Sequence, residues 1–422
     1  TITANGNVTQ GSFGPFARPD GSWGVSFDGD GDYLEIADDS SLELGSGNFT
    51  IECFFNVKQF DSLRTLASKY KTVDGYRSWR LTFQTNGTLS LDITSDGGGS
   101  NISNVSTATV FEENTWYHLA LVRNSNTITF YINGTADSNT LSFSATPHDN
   151  STPVRIGTQF NSSGARYYHD GFVSNFRIVV GTALYTGNFT APTSKLTAVT
   201  NTKLLTCQSN RFVDNSASAH TVTPSGNAAV TAFGPFLTSS VYDAAVNGAS
   251  ASFDGSGDYL SVPYSTDFNF GTGSFTVEAF VFLRDLSGSQ GIYATSGGAG
   301  GNPKFIIYLD GATPKAHING FGSSLFLNAT ATISANEWNH LAFVRNGSTW
   351  YWFVNGTQAG TGSNSTNITF SNVATVVGYG GESGNAPING FISDLRVVKG
   401  TAVYTSNFTP PTAPLTAITN TK

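Results

Sequence analysis

The chain has 422 residues, with 29 acidic against 21 basic side chains and a formal net charge of −8 at neutral pH. Its Lys and Arg never gather into a run, which excludes the electrostatic footprint of a nucleic-acid binder, and no apolar stretch approaches the ~20 residues of a membrane-spanning helix. Charged residues make up only 12%, about half the ~25% usual for globular proteins, so Thr, Ser, Asn and Gly must supply most of the polar surface, a composition that suits strands and turns.

Thr1-Ile2-Thr3-Ala4 shows neither an initiating Met nor the scar of a removed signal, and Met is absent throughout. The chain therefore reads as an internal or processed piece of a longer one. Ser26–Leu34, reading Ser-Phe-Asp-Gly-Asp-Gly-Asp-Tyr-Leu, predicts two strands around a Gly-rich turn. Phe49, Ile51, Cys53, Phe55 and Val57 alternate with Thr50, Glu52, Phe54 and Asn56, which is the period of a strand. Trp116–Asn124 alternates in the same way, and Ile128, Phe130 and Ile132 run into Asn133-Gly134. Asn-Gly after such a run predicts a two-residue hairpin, because both positions tolerate the positive φ of a type I′ turn.

The second half repeats the first. Ser252–Leu260, Trp338–Asn346 and Gly400–Thr409 match Ser26–Leu34, Trp116–Asn124 and Gly181–Thr190 at offsets of 226, 222 and 219. Val222-Thr223 and Phe233–Phe236 match Ile2-Thr3 and Phe13–Phe16, and Thr419–Lys422 matches Thr200–Lys203. Ordered matches of this length define two copies of one unit. The predicted boundaries are 1–203 for a copy lacking its opening strand and 204–422 for a copy that opens on Leu204-Leu205-Thr206-Cys207 and Arg211-Phe212-Val213-Asp214. An upstream segment or a neighbouring chain is expected to complete the first copy by strand addition. Short strands at regular spacing, Gly/Asn turns and no sustained 3.6-residue period predict an all-β chain of two tandem antiparallel β-sandwich domains. Cys53 has Ala279 as its counterpart; a disulfide framework would repeat with the domain, so Cys53 and Cys207 are expected to be buried free thiols.

These motifs resemble the laminin-G-like, concanavalin A-type jelly roll. In that family an opening strand and an Asp-Asn-Ser turn precede a Phe-Asp-Gly…Gly-Asp-Tyr-Leu hairpin. A Gly-x-Phe-Thr-Ile-Glu strand, a Trp-x-His-Leu-Ala strand, an Asn-Gly hairpin and a Gly-x-Ile-x-x-x-Arg-Val closing strand follow. The matching elements here are Leu204–Ser216, Phe253–Leu260, Gly273–Glu278, Trp338–Ala342, Asn355-Gly356 and Gly390–Val397, and the first copy carries all but the opening strand. The Leu204–Ser216 segment also resembles tandem domains in large virion proteins of marine bacteriophages. The fold implied is two tandem jelly rolls, and the function implied is a lectin-like surface module.

Catalytic chemistry finds little support in the residues. Glycoside hydrolysis needs two carboxylates roughly 5–10 Å apart, which hydrolases of this fold place as Glu-x-Asp-x-x-Glu on one strand. Ile51-Glu52-Cys53-Phe54-Phe55 and Val277-Glu278-Ala279-Phe280-Val281 each carry one. Asp38-Asp39 and Glu112-Glu113 are adjacent pairs that face opposite sides of a strand, as solvated turn charges do. His118 and His340 recur within apolar alternation, as structural histidines do. Asp28, Asp30 and Asp32 alternate with glycines, and three close carboxylates are a start on the six to eight oxygens of calcium. The second copy keeps only Asp254 and Asp258 around Ser256, with no downstream bidentate Glu, so a tight turn is favoured over a calcium site.

Sugar sites combine aromatic platforms with polar side chains. The candidates are Tyr76, Trp79, Tyr167, Tyr168 and His169 in the first copy and Tyr293, Phe321 and Tyr379 in the second, in stretches that differ while the framework repeats. The expectation is a non-enzymatic module of a virion or secreted surface protein that contacts glycans or neighbouring subunits within a larger homo- or hetero-oligomeric assembly. No cofactor is required, with calcium the one candidate. The alternative is a secreted carbohydrate-active protein, either a glycan-binding accessory domain or a glycoside hydrolase.

Overall fold

A computed structural model describes the chain apart from residues 12, 14, 17–22, 237–247, 296–304, 319–324 and 381–385. Two compact units are present, one spanning Ala17–Ser240 and the other combining Thr1–Phe16 with Val241–Lys422. Each is built on a pair of antiparallel sheets, and the first adds a two-stranded hairpin of Gln159–Asn161 and Gly164–Arg166.

In the first unit one sheet runs, in spatial order, Thr135–Ser142, Thr127–Ile132, Tyr117–Asn124, Phe49–Val57, Asp170–Val180, Gly24–Asp28 and Ala229–Thr231, with Thr202–Thr206 also paired to Asp170–Val180. The facing sheet runs Val222–Ser225, Tyr33–Ile36, Val154–Ile156, Arg64–Tyr70, Arg77–Phe83, Leu89–Thr94 and Ile102–Ser106. Alternation turns Phe49, Ile51, Cys53, Phe55 and Val57 into the core between them, against Leu34, Trp79, Leu81, Phe83, Leu91 and Ile156. The opposite face of Phe49–Val57 is buried as well, since Thr50, Glu52, Phe54 and Asn56 are closed off from solvent. The segment after Gly181 covers it: Thr50 Oγ1 donates to Thr182 O at 3.1 Å and accepts from Leu184 N at 3.0 Å, while Tyr185 and Phe189 pack on Ala120, Val122 and Tyr131. The Asn133-Gly134 hairpin has φ of 49° and 83° and Asn355-Gly356 has 50° and 78°, as the type I′ turn requires. Cys53 and Cys207 are free and buried, and burial drives the Cys207 thiol up to about 12.

The second unit repeats this plan with Thr3–Asn5, Tyr259–Val262, Thr375–Val377, Ser289–Thr295, Phe305–Asp310, Thr313–Ile318 and Leu325–Asn328 in one sheet. The other sheet holds Thr9–Gly11, Ser250–Asp254, Asn389–Lys399, Phe275–Leu283, Trp338–Asn346, Thr349–Val354 and Thr357–Ser363.

The boundary expected at 203/204 is corrected by the strand pairing. Thr202 sits opposite Val179, and the strand simply continues, placing Leu204 opposite Ile178 and Leu205 opposite Arg177. Leu204 and Cys207 enter the first unit's core, with Phe212 packed against it. Val222–Ser225 and Ala229–Thr231 then join that unit's two sheets beside Tyr33–Ile36 and Gly24–Asp28. The opening strand thus completes the copy it follows, and the first copy is closed within this chain rather than from outside it. The physical reason is register: the end of the first copy already lies on the Asp170–Val180 edge, so the next residues extend along it without a turn. Thr3–Asn5 and Thr9–Gly11 take the corresponding places in the second unit, beside Tyr259–Val262 and Ser250–Asp254.

Candidate functional site: a polar row across one sheet

Strand parity sets the site. In the first unit's Tyr33–Ile36 sheet, Trp79, Leu81 and Phe83 face the core with Leu89, Leu91 and Ile93, so Arg80, Thr82, Ser90 and Asp92 must face the other way. Across the strands the register brings Thr223, Glu35, Arg155, Ser68, Arg80, Asp92 and Asn104 into one continuous row on that outer face. Arg155 Nε donates to Glu35 Oε2 at 2.8 Å, and Arg80 Nε donates to Asp92 Oδ2 at 2.7 Å. Arg80 Nη1 also donates to Gln159 Oε1 at 2.7 Å, and its guanidinium lies 4.6 Å from the Tyr70 ring centre. These contacts hold Arg80 in one orientation and leave it partly open to solvent.

Arg80, Asp92, Thr82, Ser90, Asn104 and Tyr167 line a shallow groove of about 330 Å³ on this face. The Thr82 hydroxyl is buried and has no hydrogen-bond partner among the described residues. Guanidinium, carboxylate, amide and hydroxyl groups beside one Tyr ring offer donors and acceptors in the combination that sugar hydroxyls match.

The second unit carries the same row in the same register as Thr3, Ser261, Val376, Ala294, Ile306 and His317. Val376, Ala294 and Ile306 are fully buried there and form an apolar cluster with Tyr308. The repeat therefore preserves the scaffold and changes this face.

The sequence candidates fall on both sides of the outcome. Tyr167 lines the groove, and Tyr168 is half-buried beside it in sequence. Tyr76 is exposed, with Lys71 Nζ 5.6 Å from its ring centre, away from the groove lining. Trp79 and Tyr293 are corrected to core residues at 1% and 0% exposure, because parity turns them inward. His169 at 0% and Tyr379 at 6% are closed off too, and burial holds the His169 imidazole down at about 3. Phe321 lies outside the described residues. Arg80, Asp92, Thr82, Ser90 and Asn104 are absent from the sequence candidates, although their polar alternation carried the signal, with Arg80 and Thr82 set against Ile306 and Tyr308 in the second copy.

The acidic turn has a structural task. Asp32 Oδ2 accepts from Asp28 N at 2.9 Å and its Oδ1 from Asn227 N at 2.7 Å, while Asp28 accepts from Asp30 N and from Asn227 Nδ2. Asp258 does the same for Asp254 N and Asn7 N, and Asp254 accepts from Ser256 N. Asp30 is exposed. Asp28 and Asp32 also meet side chain to side chain, and burial together with the Asp28 charge raises the Asp32 carboxyl to about 6; no group of three His, Cys, Asp or Glu side chains suited to a metal occurs among the described residues. At the calcium candidates, Asp32 and Asp258 pin their hairpins to the neighbouring Gly-Asn turns.

A second constellation recurs identically. Glu52 Oε1 accepts from Arg177 Nε and Nη2 at 2.8 and 2.6 Å, and Oε2 lies 3.0 Å from Tyr185 Oη and 3.3 Å from His118 Nε2. Glu278 has Arg396, Tyr404 and His340 at the same stations. Burial pushes the Glu52 carboxyl up, but the His118 hydrogen bond and the Arg177 charge outweigh it and hold the carboxyl below its usual range. Tyr185 and Tyr404 stack flat on Phe189 and Phe408 at 3.6 and 3.7 Å. Glu52 and His118 have no exposed side-chain surface, so the cluster clamps the covering segment and offers no substrate an approach.

Paired antiparallel sheets with a polar outer face define a lectin-like β-sandwich. The family described as the concanavalin A-like lectin/glucanases superfamily (Laminin_G_3) matches residues 28–183 and again 254–402, and the chain belongs to it. Among solved structures, domains LG4-5 of the mouse laminin α1 chain are 12% identical, with 93% of this chain and 94% of that chain covered and a TM-score of 0.32. The CBM40 of the Ruminococcus gnavus IT-sialidase, bound to α2,3-sialyllactose, is 13% identical over 38% of this chain and 92% of its own, with a TM-score of 0.31. Domain 4 of an extracellular GH43 arabinanase from Geobacillus stearothermophilus, in complex with arabinotriose, is 19% identical over 37% and 73%, with a TM-score of 0.30. These likenesses concern the fold. No curated protein matches the chain. Among the described residues no helix is long and apolar enough to cross a membrane.

Proposed function

We propose that the chain is a non-catalytic glycan-recognition module of an extracellular or virion surface protein, with the polar row of the first unit as its binding face. The observation that carries the reading is the contrast between copies: Arg80, Asp92 and Arg155 stand where Ile306, His317 and Val376 stand on the same framework. A changed face on a retained scaffold is how a binding surface is specialised. The second unit then serves as a structural partner in a larger assembly. The module is non-catalytic because its strand carboxylates, Glu52 and Glu278, are sealed by Arg, Tyr and His.

A glycan array probed with the purified chain tests this. Binding is expected, equal with and without calcium, because the acidic turns already accept backbone N–H groups. Arg80→Ala with Asp92→Ala is expected to weaken binding by about 10-fold or more, since a hydrogen bond to a charged group contributes about 1.5–3 kcal/mol. Unchanged affinity in that variant would remove the polar row from the account. Release of reducing sugar from a panel of β-glucans would favour the hydrolase alternative; none is expected.

A further inference from the structure

Lysine is almost never fully buried unless it is paired. Lys69 is fully buried, and four oxygens surround its Nζ. It donates to the Asn150 and Thr152 carbonyls at 2.8 Å each and to Asp38 Oδ1 at 2.5 Å, while Glu43 Oε1 stands 2.9 Å away. An ammonium has three N–H groups, so these acceptors outnumber its donors. A neutral amine has two. With the two carbonyls taking both, its lone pair is left facing the carboxyl groups.

The second unit changes all three side chains together. Thr295, Tyr264 and Asn269 stand there in place of Lys69, Asp38 and Glu43, and Thr295 pairs with Phe305 as Lys69 pairs with Trp79. Thr295 Oγ1 accepts from Phe305 N at 3.0 Å, and Asn269 Oδ1 accepts from Phe370 N at 3.0 Å. The scaffold therefore forms without these charges, and the first unit holds them as a set. Burial pushes the Glu43 carboxyl up to about 7 against the pull of Lys69, and Asp149 beside it adds to the rise. Near neutral pH such a carboxyl both takes up and gives back a proton.

We propose that Lys69 and Asp38 join in an intramolecular amide bond, with Glu43 as the proton carrier. Both carboxyl groups touch the same Nζ, so Glu43 carries two of the three ammonium protons, one after the other, to one Asp38 oxygen. The freed lone pair attacks the Asp38 carboxyl carbon, the C–N bond forms, and the C–O bond to that oxygen breaks. One water leaves, the amide keeps the third proton, and nothing is oxidised or reduced. Contact between the partners in the folded chain makes the step unimolecular, which removes the largest obstacle to it. The Asp38 side chain is 37% exposed against 1% for Lys69, so the water has an exit while the amine stays dry. The bond closes a loop between positions 31 residues apart and narrows the unfolded ensemble as a disulfide does. The inference stands apart from glycan binding, since Lys69 shares the inward parity of Trp79 and the polar row runs through Ser68.

The mass of the intact 422-residue chain, purified, kept at neutral pH and then denatured, reads the bond directly. It is expected to be one water below the mass of the sequence. Trypsin should fail to cut after Lys69 and should release residues 65–71 joined to the peptide that carries Asp38. Glu43→Gln keeps the size and hydrogen bonding of the side chain but cannot carry the proton, and it should show the full sequence mass. The full sequence mass in the unaltered chain, or a missing water without the branched peptide, would overturn the inference. A bond formed equally well in Glu43→Gln would overturn the role given to Glu43.

Discussion

At the scale of single residues, burial decides which polar groups act on solvent and which act on the fold. His169 carries no exposed surface, and burial depresses its imidazole to about 3, against roughly 6.5 in an unfolded chain. The unfolded state therefore takes up the proton first. The stability that the neutral ring contributes is complete above about pH 6.5 and falls as the pH drops towards 3. In an NMR titration the His169 ring should remain neutral from pH 7 to pH 4; a midpoint near 6.5 would contradict its placement. Its neighbours in sequence, Tyr167 and Tyr168, are half-buried, and of the two Tyr167 lines the groove, so three aromatic letters in a row have separate roles. Composition announced the cluster, but only the strand pairing separates a platform from a core ring. Trp79 and Tyr293 show the same limit and also its remedy. Trp79 stands between Ser78 and Arg80, and a strict period of two places it inward.

Elements were the most legible scale. The Asn-Gly hairpins, the alternating strands and the repeat follow from local rules, and each has its expected form. The double burial of Phe49–Val57 and Phe275–Leu283 was hidden, because the segments that cover them arrive from more than 100 residues away. For the same reason the Glu52 cluster was readable only as four residues that recur together. It joins three strands and a loop through one carboxylate, so its loss should act on the whole sheet face. Glu52→Ala leaves the Arg177 guanidinium buried without its partner, and breaking a buried pair in this way costs about 3–5 kcal/mol. Denaturant unfolding should show that loss in the first unit's transition, and Glu278→Ala the same in the second's. A loss under about 1 kcal/mol in either would mean that the clamp is dispensable.

At the scale of the whole molecule, the repeat in sequence and the repeat in space are cut at different points. Local signals place Leu204–Cys207 at the head of the second copy; register places it at the tail of the first unit. A one-dimensional match cannot reveal this, because the segment exists once and satisfies either reading. The two units then differ on the outer face that carries the row: Arg155, Ser68 and Arg80 stand at its centre in one, and the buried Val376, Ala294 and Ile306 in the other. Scaffold retention with a changed face is the basis for assigning recognition to Ala17–Ser240. A crystal structure of the chain with an oligosaccharide selected from the glycan array tests that assignment most directly. The sugar is expected against Arg80, Asp92 and Asn104, with Tyr167 at its rim. A sugar seated on the second unit, or on the loops at the end of either sandwich, would contradict it.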